Sequence, residues 1–100
     1  MNISDFLEHV ASHSHPEATW SSAVQAIWYA EKGEWTLAHD RCQEGDEKDG
    51  AWVHAHLHRE EGDLSNARYW YHQAGQPESL VSVAEERHEM IRSLLTRRQL

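Results

Sequence analysis

The chain is poor in several features that would point to other classes of protein. It holds one cysteine, Cys42, and two prolines among 100 residues. A lone cysteine excludes a disulfide within the chain and favours a reducing compartment. No stretch approaches the roughly 18 consecutive apolar residues that a membrane-spanning helix requires, and the first residues lack the basic and apolar regions of a signal peptide. We therefore expect a cytoplasmic protein with no role at a membrane.

Positive charge is also scarce. The sequence has 9 lysines and arginines against 17 aspartates and glutamates, which gives a formal net charge of -8. Because this charge repels a phosphate backbone, nucleic-acid binding is not expected. The sequence contains no glycine-rich phosphate loop, no Gly-x-Ser-x-Gly motif and no readable Cys–His pair, so we expect no enzymatic activity. Its 39% hydrophobic residues, with five tryptophans, are sufficient for one folded domain over residues 1–100.

The main feature that is present is a pattern that occurs twice. Residues 26–38 return in similar form as residues 55–67, 29 positions later, with Gly33 matching Gly62 and Ala38 matching Ala67. In each copy a glycine is followed by an acidic and an apolar residue, and by alanine three residues further on. A left-handed glycine ends one helix, the acid caps the next, and the small alanine lets the two helices approach closely. The pattern predicts two helical hairpins in tandem.

Apolar periodicity extends this interpretation to the whole chain. We predict an all-α fold of six helices, with hairpins at about residues 18–44 and 51–74. Helices at about residues 4–14 and 78–97 would cap the two ends, because an uncovered terminal repeat exposes its apolar face. Residues 45–50 are rich in glycine and charge, which predicts a solvated turn between the hairpins.

The second hairpin resembles a tetratricopeptide repeat. The positions that match that family's consensus are Gly62, Asp63, Leu64, Ala67, Tyr71, Ala74 and Pro77. The first hairpin matches more loosely, and the period of 29 residues is shorter than the family's 34. Residues 52–63 with Tyr69-Trp70-Tyr71 also resemble small bacterial and fungal helical-repeat proteins that have no assigned activity. The resemblance implies a concave groove lined by the first helix of each hairpin.

Such a groove would bind a peptide or a protein partner. Carried over from the family, its lining residues are Trp20, Ile27, Trp52, His56 and Arg59. Tryptophan and arginine are enriched at binding hot spots, which favours this interpretation. The alternative is that Trp20 and Trp52 are covered by the two end helices and belong to the core.

Three histidines at alternate positions, His54, His56 and His58, are the most unusual chemical feature. On a helix His54 and His58 lie one turn apart on the same face, and the repeat directs them towards the partner helix. They could form a hydrogen-bonded structural pair. They could instead line a polar ligand pocket, whose members would be His54, His58, Arg59, Asn66 and Tyr69.

The same two histidines could also bind zinc or nickel. A metal site needs a third ligand, for which the candidates are Asp63, His72 and His88. The zinc-hydrolase motif His-Glu-x-x-His is absent, because Ala55 stands where the catalytic glutamate would be. Under this hypothesis we therefore expect metal binding without catalysis.

A third functional hypothesis is a structural homo-oligomer. Leu94 and Leu95, close to the end of the last predicted helix, suggest an apolar surface through which copies of the chain would associate.

Overall fold

The computed structural model describes residues 1–45 and 47–98, apart from the side chains of Glu47 and Arg98. Within these residues the secondary structure consists of six helices and no strand, which confirms the predicted all-α fold. The helices are α1 (Ile3–Ser12), α2 (Ser22–Lys32), α3 (Trp35–Cys42), α4 (Glu47–Glu60), α5 (Leu64–Ala74) and α6 (Val83–Arg98). None of these six is both long enough and apolar enough to cross a bilayer.

The glycines of the repeated pattern end helices, as predicted. Gly33 and Gly62 both have a φ of 88°, in the left-handed region where a side chain would be strained. After Gly62 the carboxylate of Asp63 accepts a hydrogen bond from a backbone N–H in the first turn of α5. After Gly33 the corresponding Glu34 makes no such bond. The expected acidic cap is therefore present only in the second hairpin.

Helices α2 and α6 begin later than predicted. The expected starts lay near residues 18 and 78, whereas these helices begin at residues 22 and 83; α1 begins at residue 3, in agreement with the expected start near residue 4. Each observed start follows a residue whose side-chain oxygen accepts a hydrogen bond from a first-turn N–H, namely Asn2, Ser21 and Ser82. Because such a cap satisfies a backbone donor that would otherwise have no partner, it determines where each helix starts.

The predicted turn at residues 45–50 is wrong for its last four residues. The helix α4 already begins at Glu47 and runs through Gly50; Asp46 lies outside the described residues. An acidic residue in the first turn, such as Asp49, interacts favourably with the helix dipole. Gly50 also has a packing role, because a Cβ built on it would lie 2.1 Å from the carbonyl oxygen of Cys42. The glycine thus lets α4 pass directly against the end of α3.

The helices pack as two antiparallel pairs joined side by side. Helix α2 packs on α3, α4 packs on α5, and the contact of α3 with α4 joins the two hairpins. Helix α1 contacts α2 and α6, and α6 contacts both α2 and α4. The main core collects buried apolar side chains from five helices, among them Phe6, Trp28, Leu57, Leu94 and Leu95. The two leucines that suggested an oligomer therefore pack inside the chain itself.

Candidate metal centre

Helix α6 covers the face on which the peptide groove was predicted. It packs on α2 and α4, where Ile27 is 1% exposed and His56 is 0% exposed. The guanidinium of Arg59 binds the carboxylate of Glu86 on α6, with 3.0 Å between Nη1 and Oε1. These three residues of the expected groove therefore contact α6 or lie within the core.

The two tryptophans of the expected groove are half-buried and pack against the core. Trp20 stacks on Phe6 with 5.7 Å between the ring centroids. Trp52 carries the guanidinium of Arg97 over its ring, 5.5 Å from the centroid. Each indole thus has a partner within the chain.

His56 belongs to a buried polar network that holds α6 in place. Its Nδ1 atom bonds Oε1 of Glu86, and its Nε2 atom accepts a hydrogen bond from Nε of Arg87 at 3.0 Å. The hydroxyl of Tyr71 donates to the other oxygen of Glu86. Burial raises the pKa of Glu86, but the hydrogen bonds from His56, Tyr71 and Arg59 together lower it below its usual value. Every polar group of this network has a partner, so we regard it as structural.

His54 and His58 lie together on α4, as their spacing predicts. Their rings are stacked with 4.8 Å between centroids, and both residues are buried. The indole of Trp70, from α5, covers the other side of this stack and lies 4.0 Å from the centroid of His54. Trp70 was not among the predicted site residues. Its position on α5, the helix that pairs with α4, could have placed it near the two histidines.

The other three residues of the predicted polar pocket, Asn66, Tyr69 and Arg59, do not all lie beside the histidine pair. Asn66 bonds Asp63 at the start of α5, with 3.4 Å between Nδ2 and Oδ2. Tyr69 is 56% exposed and lies edge-on to Trp70, and it lines the same surface cavity as His54. Together with the contact of Arg59 to Glu86, this leaves only Tyr69 beside the histidine pair.

A third histidine, His39 on α3, completes a cluster that the sequence did not predict. Its ring stands nearly perpendicular to both partners, with centroids 4.6 Å from His54 and 5.5 Å from His58. One nitrogen from each of the three rings lies within 4.8 Å of the other two. The third residue of this triad is therefore His39, and not Asp63, His72 or His88 as predicted. The sequence could have suggested His39, because α3 and α4 are neighbouring helices of adjacent hairpins.

The environment of His54 suits a metal ligand. Burial, followed by the charges of His39 and His58, lowers the pKa of His54 to about 4. The imidazole is therefore neutral at pH 7, which is the form that coordinates a metal. His54 also lines a surface cavity, from which a ligand could reach its ring.

The other two rings are held by contacts outside the triad. Nδ1 of His58 lies 2.6 Å from Oε2 of Glu61, and a carboxylate there keeps the proton on Nδ1 and leaves Nε2 free to coordinate. His39 stacks on Trp35 with 4.9 Å between centroids, and its Nδ1 contacts the side-chain amide of Gln43 at 3.2 Å. Histidine ligands of metals commonly have such outer partners.

Three imidazoles are a donor set that zinc, copper and nickel accept. A zinc ion needs each nitrogen at about 2.0–2.1 Å, so the three side chains would have to move closer together to bind it. His58 also lies near Glu61 and Asp63, but both of these acids are exposed and have structural roles at the end of α4 and the start of α5.

Comparison with known proteins assigns no function to the chain. No family model matches it, and neither a curated protein nor a solved structure matches it. The chemistry of His39, His54 and His58 is therefore the basis for a function.

Proposed function

We propose that the protein binds a transition-metal ion, with zinc as the first candidate, through His39, His54 and His58. The observation that carries the proposal is the approach of three ring nitrogens to within 4.8 Å of one another, from two helices. The contacts of His58 with Glu61 and of His39 with Gln43 use one nitrogen of each ring and leave the other nitrogen to an ion.

The metal is proposed to be bound rather than used in hydrolysis. The position that follows His54 is Ala55, which has no group to act as a general base. Glu61 and Asp63 lie within 4.8 Å of a ring nitrogen of His58, and Glu61 is engaged with that ring. The proposed function is therefore that of a non-enzymatic metal-binding protein.

Peptide binding, which the family resemblance implies, remains a prediction. It would require α6 to leave the face of α2 and α4, and with it the bonds of Glu86 and Arg87 to the second hairpin. Breaking so many buried polar contacts opposes that movement. The kinship with tetratricopeptide repeats, association into homo-oligomers and the cytoplasmic location also remain predictions.

The test is to titrate zinc and nickel into the chain and into His39→Ala while thermal unfolding is followed. His39 is suited to this because it is only half-buried, so its replacement should leave the fold intact. At an ion concentration 100 times the dissociation constant, the wild type should gain about 2.7 kcal/mol in its free energy of unfolding. His39→Ala should gain almost nothing.

The matched control is His72→Ala, which removes an exposed histidine from α5. It should respond to the ion as the wild type does. The proposal is overturned if sub-millimolar metal leaves the wild type unchanged, or if His39→Ala remains folded by circular dichroism and responds as strongly as the control.

A further inference from the structure

A surface cavity of about 470 Å³ adjoins the histidine triad. Its walls come from the end of α3, the first turns of α4 and the exposed side of α5. The residues that line it include Gln43, His54, Tyr69, Trp70 and Gln73. A volume of this size falls within the usual range of small-molecule sites.

The cavity and the triad share two points of contact. His54 belongs to both, and Gln43 lines the cavity while its amide contacts Nδ1 of His39. An ion held by His39 and His54 would therefore lie at the wall of the cavity. The indole of Trp70, stacked on His54, forms an adjacent part of that wall.

Three protein ligands do not complete the coordination of such an ion. In the part of the chain that the structure describes, the group that contains His39 and His54 has no fourth histidine, cysteine or carboxylate. The thiol of Cys42 also lines the cavity, but it donates to the carbonyl oxygen of His39 at 3.1 Å. A zinc ion with three protein ligands binds water or another small ligand in its fourth position.

The chemistry of the cavity wall selects the kind of ligand. Gln73 contributes an amide group that can donate hydrogen bonds, whereas the amide of Gln43 is engaged with His39. Trp70 and Tyr69 contribute aromatic surface. The net charge of -8 disfavours anions over the molecule as a whole, but beyond a Debye length of about 10 Å this repulsion is screened. A bound divalent ion acts at much shorter range.

We propose that the metal ion keeps one coordination position open towards this cavity, and that a small organic anion with an aromatic body and a carboxylate binds there. The carboxylate would coordinate the ion, and the aromatic body would lie against Trp70 and Tyr69. This inference rests on the metal binding proposed above.

Benzoate is the probe, and cobalt is the reporter ion. Cobalt(II) follows zinc into nitrogen sites, and its visible absorption depends on the number and type of its ligands. Benzoate added to the cobalt-loaded protein in a non-coordinating buffer should change that absorption in a saturable way. Gln73→Trp should fill the cavity and raise the benzoate concentration at half-saturation about tenfold. The control is His72→Trp, at a residue that directly precedes Gln73 but does not line the cavity. Its benzoate concentration at half-saturation should equal that of the wild type.

The outcomes separate the two proposals. If cobalt produces no protein-bound spectrum in the wild type, metal binding itself is overturned, and the ligand proposal with it. If a spectrum forms and is lost in His39→Ala but benzoate leaves it unchanged, the metal site stands and the open position is overturned. If benzoate binds Gln73→Trp as tightly as His72→Trp, the ligand does not occupy this cavity and the ligand proposal fails.

Discussion

The imidazole of His56 and the carboxylate of Glu86 form a buried hydrogen-bonded pair, with 2.8 Å between Nδ1 and Oε1. Because Arg87 donates to Nε2 of the same ring, the proton of His56 lies on Nδ1 and points at Glu86. Two helices that are distant in sequence, α4 and α6, are joined by this pair. Glu86 also receives bonds from Arg59 and Tyr71, so a single carboxylate satisfies donors from three residues.

Replacing Glu86 by alanine should therefore destabilise the protein strongly. The variant leaves His56, Arg59 and Tyr71 without their acceptor, and breaking a buried charge pair in this way costs about 3–5 kcal/mol. Urea unfolding of Glu86→Ala should show a loss of that size, whereas Glu89→Ala, at an exposed site on the same helix, should change stability by about 0.5 kcal/mol or less. Equal stabilities of the two variants would contradict the role given to Glu86.

Stability should also fall in acid because of Glu86. Its pKa in the folded chain lies below the ordinary value of 4.5, so near that pH the unfolded chain binds the proton more readily. The stabilisation from Glu86 is complete above the ordinary value and is lost as the pH falls through the lower, folded value. Urea unfolding at pH 6 and below pH 4 should show this loss in the wild type. Glu86→Gln, which has no carboxylate there, should show a smaller decrease over the same interval.

Adding a single methyl group at Gly50 should loosen the joint between the hairpins. In an unobstructed helix, glycine to alanine stabilises by about 1 kcal/mol. Here the new Cβ would lie 2.1 Å from the carbonyl oxygen of Cys42, so α3 and α4 must move apart. We expect Gly50→Ala to lose about 2 kcal/mol by urea unfolding and to bind zinc more weakly, since His39 and His54 lie on those two helices. A stability equal to or above that of the wild type would show that the helices separate without cost.

Cys42 should react very slowly in the native protein. Burial raises the pKa of its thiol to about 12 from 9.0, and the thiolate is the reactive form. At pH 8 the native thiolate fraction is thus roughly a thousandfold smaller than that of an ordinary cysteine. Labelling with a chromogenic disulfide should be at least a hundred times slower without denaturant than in guanidinium. Comparable rates in the two conditions would mean that the end of α3 opens readily.

The sequence was sufficient to predict the hairpins because their signals are local. A glycine that must adopt a positive φ, as at Gly33 and Gly62, is constrained by its own backbone. Helix starts were less predictable, since any nearby Ser, Asn or Asp can act as the cap. At the start of α2, Ser21 takes that role, and the segment before it is not helical.

The candidate site was predictable only in part, for a related reason. His54 and His58 are brought together by the spacing within one helix, which any helical prediction includes. His39 joins them through the packing of α3 on α4, and the closeness of that packing depends on Gly50. Ile27 and His56 were assigned to a groove, whereas α6 covers them in the structure. The short-range sequence pattern does not indicate that α6 packs on this face.

The three histidines come from both hairpins: His39 from the first, and His54 and His58 from the second. Neither hairpin therefore carries the complete triad, and an ion bound by all three histidines would link the two hairpins. The binding of the ion would then stabilise the packing of one hairpin on the other. Metal supply would then set how firmly the two halves of the molecule hold together.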